Sequence, residues 1–164
     1  MNNHKIRSMI VEDESEALDL LAGLLEATGE ATVVASTTNP LEAVDLLLLH
    51  DPEILFLDIK MPGMSGFDII NEINRLTTLN PRIVFTTAHD EYAIRAFDSA
   101  AFDYLLKPID PDKLTETLRR HISQPIGDRV DQLPRQPLTD NMKILTFRGV
   151  TGVTFIDTEE VVYI

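Results

Sequence analysis

The chain has 164 residues, of which 44% are hydrophobic and 25% are charged, as is typical of a folded globular protein. It contains no cysteine, which excludes disulfides and thiolate metal sites, and its net charge of −13 argues against nonspecific attraction to nucleic acid phosphates. The amino terminus lacks the pattern of a signal peptide and no apolar run approaches the length of a membrane span, so we expect a cytoplasmic protein without a membrane partner.

Short apolar segments alternate with segments of helical periodicity through most of the chain. In the first pair, a strand at 6–11 precedes a helix at 15–29, for which Ser15 is the expected N-cap and Gly29 the expected stop. The apolar residues of this helix recur at helical spacing: Leu18, Leu21 and Leu25.

Four more pairs follow in chain order. The further strands are predicted at 31–36, 53–58, 82–87 and 102–106. The further helices are predicted at 40–50, with Pro40 in its first turn, and at 67–76, 90–100 and 111–122. Five strands that are apolar on both faces, alternating with five helices, predict an α/β fold with a doubly wound five-stranded parallel sheet.

Polar residues follow four of the five predicted strands. In a parallel sheet the ligand crevice lies at the carboxyl ends of the strands, where these residues are found: Glu12, Asp13, Asp58, Thr87 and Lys107. Three carboxylates close together repel one another unless a cation is present, and Mg²⁺ binds carboxylates, water and phosphate oxygens. The three acids therefore predict a magnesium site that can receive a phosphoryl group.

The same positions suggest a chemistry for that site. Asp58 is the expected nucleophile, since a carboxylate can form an acyl phosphate. Lys107 would add a positive charge beside the phosphoryl group, and the Thr87 hydroxyl would donate a hydrogen bond to one of its oxygens. Taken singly, acids at a helix start, an aspartate in a turn and a Lys-Pro dipeptide are common structural features. Their joint occurrence at successive strand ends favours a functional site.

At these residues the sequence resembles the receiver domain of two-component response regulators. The resemblance covers residues 5 to about 123 and is carried by four motifs: VEDE at 11–14, LFLDIKMPGMSG at 55–66, TTAHDEYAIRAF at 86–97 and DYLLKP at 103–108. It implies a flavodoxin-like receiver fold in which Asp58 accepts a phosphoryl group from the phosphohistidine of a sensor histidine kinase. It also implies a regulatory phosphoprotein rather than an enzyme, with only self-catalysed phosphoryl transfer and dephosphorylation.

The resemblance also assigns the metal ligands. Asp13 and Asp58 would bind Mg²⁺ directly, together with the backbone carbonyl of Lys60, and Glu12 would act mainly through water. Many receivers have two aspartates where this chain has Glu12 and Asp13, and the longer glutamate side chain could shift the metal geometry slightly. By the same resemblance Lys60 and His89 would tune the phosphoryl lifetime.

A conformational switch is implied by the resemblance. Phosphorylation would draw Thr87 toward the phosphate, and Tyr104 would turn inward beside Ala88. This would repack the face made by the helix at 90–100, the fifth strand and the last helix, and so control a phosphorylation-dependent homodimer. The residues expected on that face are Tyr92, Ile94, Arg95, Phe97 and Asp98, although Tyr92 and Phe97 are equally well explained by helix packing. The Lys107–Pro108 peptide is expected to be cis.

The composition changes after residue 123. Residues 124–141 are polar and rich in proline, as is typical of a linker between a receiver domain at 1–123 and a further segment. Residues 142–164 predict strands separated by turns and resemble the start of a LytTR-type DNA-binding domain. This segment has a net charge of −1, so DNA contact is expected only through a part of that domain beyond Ile164.

Other functions fit parts of the sequence. A phosphatase of the haloacid-dehalogenase kind also uses an aspartate nucleophile and Mg²⁺, but it needs an acid two residues later, where this chain has Lys60. A receiver-like protein that cannot be phosphorylated should have lost one of the five site residues, and none is missing. A stand-alone receiver or interaction module, which binds proteins without contacting DNA, remains an alternative to a transcriptional regulator.

Overall fold

The computed structural model describes residues 4–89 and 101–124, and the backbone of two short strands at 145–149 and 152–156. The chain divides into two units, Met1–Asp128 and Arg129–Ile164. The helix predicted at 90–100 and almost all of the predicted linker lie outside the described residues. None of the helices in the described ranges combines the length and the apolar character that crossing a membrane requires.

The first unit contains five strands and four described helices. The strands are β1 (Ile6–Val11), β2 (Ala31–Thr37), β3 (Ile54–Asp58), β4 (Arg82–Thr87) and β5 (Asp103–Leu106). The helices are α1 (Ser15–Ala27), α2 (Ala43–His50), α3 (Gly66–Leu76) and α4 (Pro111–Ser123). A short 3-10 helix at Pro40–Glu42 precedes α2, so the segment that begins at Pro40 is not α-helical from its first residue.

One predicted helix cap is wrong. The N-cap of α1 is Glu14, whose backbone is extended and whose carbonyl accepts from the Leu18 N–H at 3.0 Å, so Ser15 already lies inside the helix. No side chain caps this end; the Glu14 N–H instead donates to Glu12 Oε1 at 3.3 Å. The first turn of α1 is therefore tied directly to one of the candidate site acids. Gly29 follows the helix with a positive φ of 70°, which glycine tolerates without strain.

The five strands form one parallel sheet in the order β2-β1-β3-β4-β5. This is the strand order of flavodoxin-like folds, and it confirms the predicted doubly wound fold. The chain moves outward from β1 to β2 and then returns to the other side of β1 to form β3. The order therefore reverses between β1 and β3, and the crevice opens at their carboxyl ends.

The sheet is buried on both faces, as its apolar strands predict. Alternate residues of β1 and β3, such as Ile10 and Phe56, pack on one face with α1 and α4. Their neighbours, such as Val11 and Leu57, pack on the other face with α2 and α3. Because both faces are filled with apolar side chains, ligands must approach the sheet at its edges.

The second unit contains two described strands, β6 (Leu145–Gly149) and β7 (Gly152–Ile156). They pair antiparallel, with Leu145 opposite Ile156 and Gly149 opposite Gly152. This antiparallel pair agrees with the strands predicted for the segment.

Candidate functional site

The three predicted acids meet at the carboxyl edge of the sheet. Glu12 and Asp13 follow β1, and Asp58 is the last residue of the neighbouring strand β3. One carboxylate oxygen of each lies within 4.8 Å of those of the other two. Glu12 and Asp58 are only 2% and 5% exposed, whereas Asp13 is partly exposed. The switch in strand order thus brings together side chains that are 46 positions apart in sequence.

Lys107, just after β5, supplies a positive charge to this group. Its Nζ lies 2.5 Å from Glu12 Oε2 and 3.4 Å from Asp58 Oδ2. Its backbone N–H donates to the Thr87 carbonyl at 2.9 Å, which fixes the loop against β4. The Lys107–Pro108 peptide is cis, as expected. Lys107 therefore contacts both buried carboxylates from a fixed backbone position.

One ammonium does not neutralise these acids. Burial raises the pKa of Glu12 to about 7, assisted by the charge of Asp58 and opposed by Lys107. Burial also raises the pKa of Asp58, with Lys107 and the Lys60 N–H opposing the increase. Burial alone would lower the pKa of Lys107, but its contacts with the two carboxylates raise it, so it stays charged. The site holds more negative charge than its surroundings stabilise.

Thr87 lies on β4, the neighbour of β3, and Tyr104 lies on β5, one strand further out. Thr87 is fully buried at the end of β4, one residue beyond the position that pairs with Asp58. Its hydroxyl accepts from the His89 N–H at 3.3 Å. Tyr104, on β5, packs partly buried against the core and its hydroxyl donates to the His89 carbonyl. Backbone groups of His89 thus link Thr87 to Tyr104. The five residues expected on the dimer face lie outside the described residues.

The sequence did not single out Gly66, which sets the backbone of the acidic site. Gly66 begins α3, and its N–H donates to the Ile59 carbonyl at 2.9 Å. A Cβ at this position would lie 2.5 Å from the Asp58 backbone oxygen, too close for any side chain. The preceding Ser65 forms a capping box with Asp68, and this local signal could have identified the start of α3. The site therefore needs glycine at 66.

The residues at this edge fit a magnesium ion. The donors are carboxylate oxygens, which suit a hard cation, and their buried negative charge is only partly balanced by Lys107. The loop after β3 begins at the site, because the Lys60 N–H lies 3.4 Å from Asp58 Oδ1. The backbone at Lys60 thus lies beside Asp58. When bound, such an ion would neutralise the acids and the oxygens of a phosphoryl group.

Comparison with known proteins places the chain in a family. A family model described as the response regulator receiver domain matches residues 9–119. The chain belongs to the response regulator receiver family. Receivers of this family act in two-component systems, in agreement with the resemblance seen in the sequence.

Several named relatives extend this comparison. The chain is 44% identical over 115 residues to an uncharacterised response regulatory protein of Shewanella oneidensis, covering 70% of this chain and 48% of that protein. It is 40% identical over 147 residues to the transcriptional regulatory protein BtsR of Salmonella typhi, covering 90% and 59%. It is 31% identical over 161 residues to the sensory transduction protein LytT of Bacillus anthracis, covering 97% and 65%. The chain spans about half the length of the first of these relatives.

Solved structures agree on the fold. The response regulatory domain of the protein mrkE from Klebsiella pneumoniae superposes with a TM-score of 0.64 and 31% identity, over 72% of this chain and 96% of that chain. The receiver domain of a NarL response regulator from Mycobacterium tuberculosis superposes with a TM-score of 0.65 at 23% identity, over 74% of this chain and 99% of that chain, and shows the fold alone. The likeness to LytT over nearly the whole chain supports the LytTR-type resemblance of the tail.

Proposed function

We propose that this chain is a phosphorylatable receiver in which Asp58 accepts a phosphoryl group from a sensor histidine kinase. The observation that carries this proposal is the meeting of three acids and one lysine at the carboxyl ends of β1, β3 and β5. Asp13, Asp58 and the Lys60 carbonyl would hold Mg²⁺, and Glu12 would act mainly through water. Family membership supports this reading, because receivers act in two-component systems.

The reaction is a transfer between two side chains. An oxygen of Asp58 forms a bond to phosphorus as the bond to the histidine nitrogen of the kinase breaks. That nitrogen keeps the bonding electron pair, and the imidazole leaves neutral because its other ring nitrogen carries a proton. Little covalent chemistry is required of the protein, so catalysis consists of positioning and charge neutralisation. Lys107 already contacts Asp58 Oδ2, which places its ammonium beside the oxygens that the phosphoryl group would bring. The chain would thus assist its own modification without being an enzyme for another substrate.

Thr87 and Tyr104 would report the modification to the surface. The Thr87 hydroxyl, which accepts from the His89 N–H, would donate to a phosphoryl oxygen and move toward it, which would shift the loop at His89. A movement of the loop at His89 would move the Tyr104 side chain, because the tyrosine hydroxyl donates to the His89 carbonyl. The expected result is repacking of the face that includes β5 and α4, and control of homodimerisation.

The output of this switch is proposed to be transcription. BtsR is named a transcriptional regulatory protein, and the likeness to it and to LytT covers 90% and 97% of this chain. The tail at 142–164 would then be the start of a LytTR-type domain whose DNA contacts lie further along the family's domain. The net charge of −1 in this segment agrees with that division.

The phosphoacceptor is tested by mass spectrometry. The native chain and Asp58→Ala are incubated with a small phosphodonor and Mg²⁺, and their intact masses are compared. The native chain should gain one phosphoryl group and Asp58→Ala none. The matched control is Asp19→Ala, which removes an exposed aspartate of α1 and should be modified like the native chain. Equal uptake by the native chain and Asp58→Ala would remove Asp58 as the acceptor.

A further inference from the structure

A second group of ionisable side chains lies at the amino-terminal edge of the sheet, opposite the acidic site. Its members are Glu53, just before β3; Arg82, the first residue of β4; His121, near the end of α4; and His4, just before β1. Arg82 and His121 are only 6% and 8% exposed. Nothing in the proposed phosphorylation chemistry uses them.

Arg82 fastens the end of α4 to the sheet. The last carbonyls of a helix have no partner within the helix, and Arg82 donates to those of His121, at 3.1 Å, and Gln124. Its guanidinium also lies 4.5 Å from the centroid of the Phe102 ring. Gln124 is the last described residue before the segment that leads to the second unit. The contact therefore fixes the point at which the chain leaves the receiver.

The contact with Arg82 also sets the protonation of His121. Arg82 also approaches Nδ1 of His121 at 3.3 Å, and a guanidinium can only donate hydrogen bonds. Nδ1 must then be an acceptor, so the ring is neutral and carries its proton on Nε2. Nε2 lies 3.4 Å from Glu53 Oε2, which can accept that proton in a hydrogen bond. A second proton on the ring would place a donor and a positive charge against Arg82.

We propose that Arg82, Glu53 and His121 form a proton-sensitive latch that holds the end of α4 against the sheet and opens when His121 is protonated. The ionisable groups that face His121 from the neighbouring elements are Glu53, Arg82 and His4, whose Nε2 is 2.9 Å from Glu53 Oε1. The Phe102 ring packs edge-on against the imidazole, 6.3 Å away. Opening would release the start of the predicted linker at 124–141 from the sheet without any change at Asp58.

The expected direction follows from burial and charge. Burial lowers the pKa of His121 from its ordinary value of 6.5, with Glu53 opposing this effect and Arg82 adding to it. Because the folded protein prefers the neutral ring, the latch is fully closed above pH 6.5 and weakens as the pH falls toward the lowered pKa. Each unit by which the pKa is lowered corresponds to about a tenfold change in the equilibrium between the closed and open latch.

Nuclear magnetic resonance on the whole chain can test the latch. We expect the His121 imidazole to titrate below 6.5. As the pH falls, hydrogen-exchange protection in the last turn of α4 should decrease, by about tenfold for each unit by which the pKa of His121 lies below 6.5. The last turn of α1, corrected for intrinsic exchange, should not respond. A His121 that titrates at or above 6.5 would overturn the proposal without the need for any variant.

Two substitutions separate the latch from ordinary helix fraying. His121→Asn keeps an acceptor near the position of Nδ1 but cannot be protonated, so the protection should become independent of pH. His4→Gln removes the other histidine on Glu53 and should keep the pH response with only a small shift, because His4 is the smallest of the causes that lower the pKa of His121. A pH response of native size in His121→Asn, or its loss in His4→Gln, would contradict the assignment to His121.

Discussion

The two edges of the five-stranded sheet treat buried charge in opposite ways. At the carboxyl edge, the two buried acids share one lysine, and the pKa values of Glu12 and Asp58 are raised. At the amino edge, burial would raise the pKa of Glu53, but hydrogen bonds from the Arg7 N–H and from two histidines outweigh it and the pKa is lowered. The acids at the carboxyl edge have too little positive charge beside them, whereas Glu53 at the amino edge has hydrogen-bond donors that stabilise its charge.

This difference distinguishes a site awaiting a ligand from a structural contact. A buried acid with a raised pKa destabilises the folded protein when it is ionised, and a cation that binds there recovers that free energy. A carboxylate with a lowered pKa stabilises the fold once ionised. We therefore expect the carboxyl edge to lose stability as the pH rises and the amino edge to gain it. The predictions that follow test this contrast.

The largest effect is expected from Glu12 in the absence of Mg²⁺. Its folded pKa is about 7 against an ordinary value of 4.5, so its contribution to stability is fully present below pH 4.5 and is lost as the pH rises through 7. The loss is at most about 3 kcal/mol. Glu12→Gln cannot ionise and should be more stable than the native chain at pH 8 by up to that amount. Chemical denaturation from pH 5 to pH 8 measures the difference.

The control for this prediction is Glu16→Gln, which removes an exposed glutamate in the first turn of α1. Its unfolding free energy should follow the native pH dependence. Added Mg²⁺ should narrow the gap between the native chain and Glu12→Gln at pH 8, because the ion stabilises only a charged site. If the native chain and Glu12→Gln lose stability in parallel as the pH rises, ionisation of Glu12 does not destabilise the carboxyl edge.

The two edges also differ in how far the sequence reveals them. The predicted side chains of the acidic site lie at or just after the ends of predicted strands, so the alternation of strands and helices was enough to place Glu12, Asp58 and Lys107 at one edge. The contacts of Arg82 with His121 and of His121 with Glu53 span 39 and 68 residues. No local pattern marks their ends, because arginine, histidine and glutamate are common at the ends of strands and helices.

Local signals also failed where two neighbouring residues competed for one role. Ser15 is a good N-cap by type, but Glu14 takes the cap position because its N–H is held by Glu12. Gly66 reads as one more loop glycine, and only the folded distance to the Asp58 backbone shows why a side chain is excluded. The cap at Glu14 and the need for glycine at 66 both depend on contacts with Glu12 or Asp58. Sequence patterns predict only that these acids lie near strand ends, not which backbone groups they contact.

The second largest effect is expected from Gly66→Ala. The added Cβ would lie 2.5 Å from the Asp58 carbonyl oxygen and 3.1 Å from Leu57 Cγ, so β3 or α3 must shift. We expect a loss of about 2 kcal/mol in the free energy of unfolding. We also expect weaker Mg²⁺ binding, because the shifted backbone carries Asp58. Denaturant unfolding and calorimetric titration with Mg²⁺ measure the two losses.

Gly23→Ala is the matched control for this substitution. Gly23 lies on the exposed side of α1 and a Cβ there would meet nothing within 4 Å. Alanine should stabilise this helix by about 0.5–1 kcal/mol and leave Mg²⁺ binding unchanged. If Gly66→Ala loses stability but binds Mg²⁺ as tightly as the native chain does, Gly66 has only a packing role.

The smallest effect is expected from Lys107→Ala, which tests how the carboxyl edge communicates with the surface. The ammonium contacts Glu12 and Asp58, and it lies on the same short strand-to-loop segment as Tyr104. Without it the fold and Mg²⁺ binding should remain, since removing a competing cation does not harm a cation site. A phosphoryl group on Asp58 would however lose its contact with β5, so we expect phosphorylation-driven dimerisation to weaken by about tenfold, or about 1.4 kcal/mol. Light scattering over a concentration series, with phosphorylation checked by intact mass, measures this change.

The control is Lys5→Ala, which removes an exposed lysine at the amino edge and should dimerise like the native chain. A fully phosphorylated Lys107→Ala that dimerises with native affinity would show that the signal leaves Asp58 by another route, with Thr87 and the backbone of His89 as the remaining connection to Tyr104.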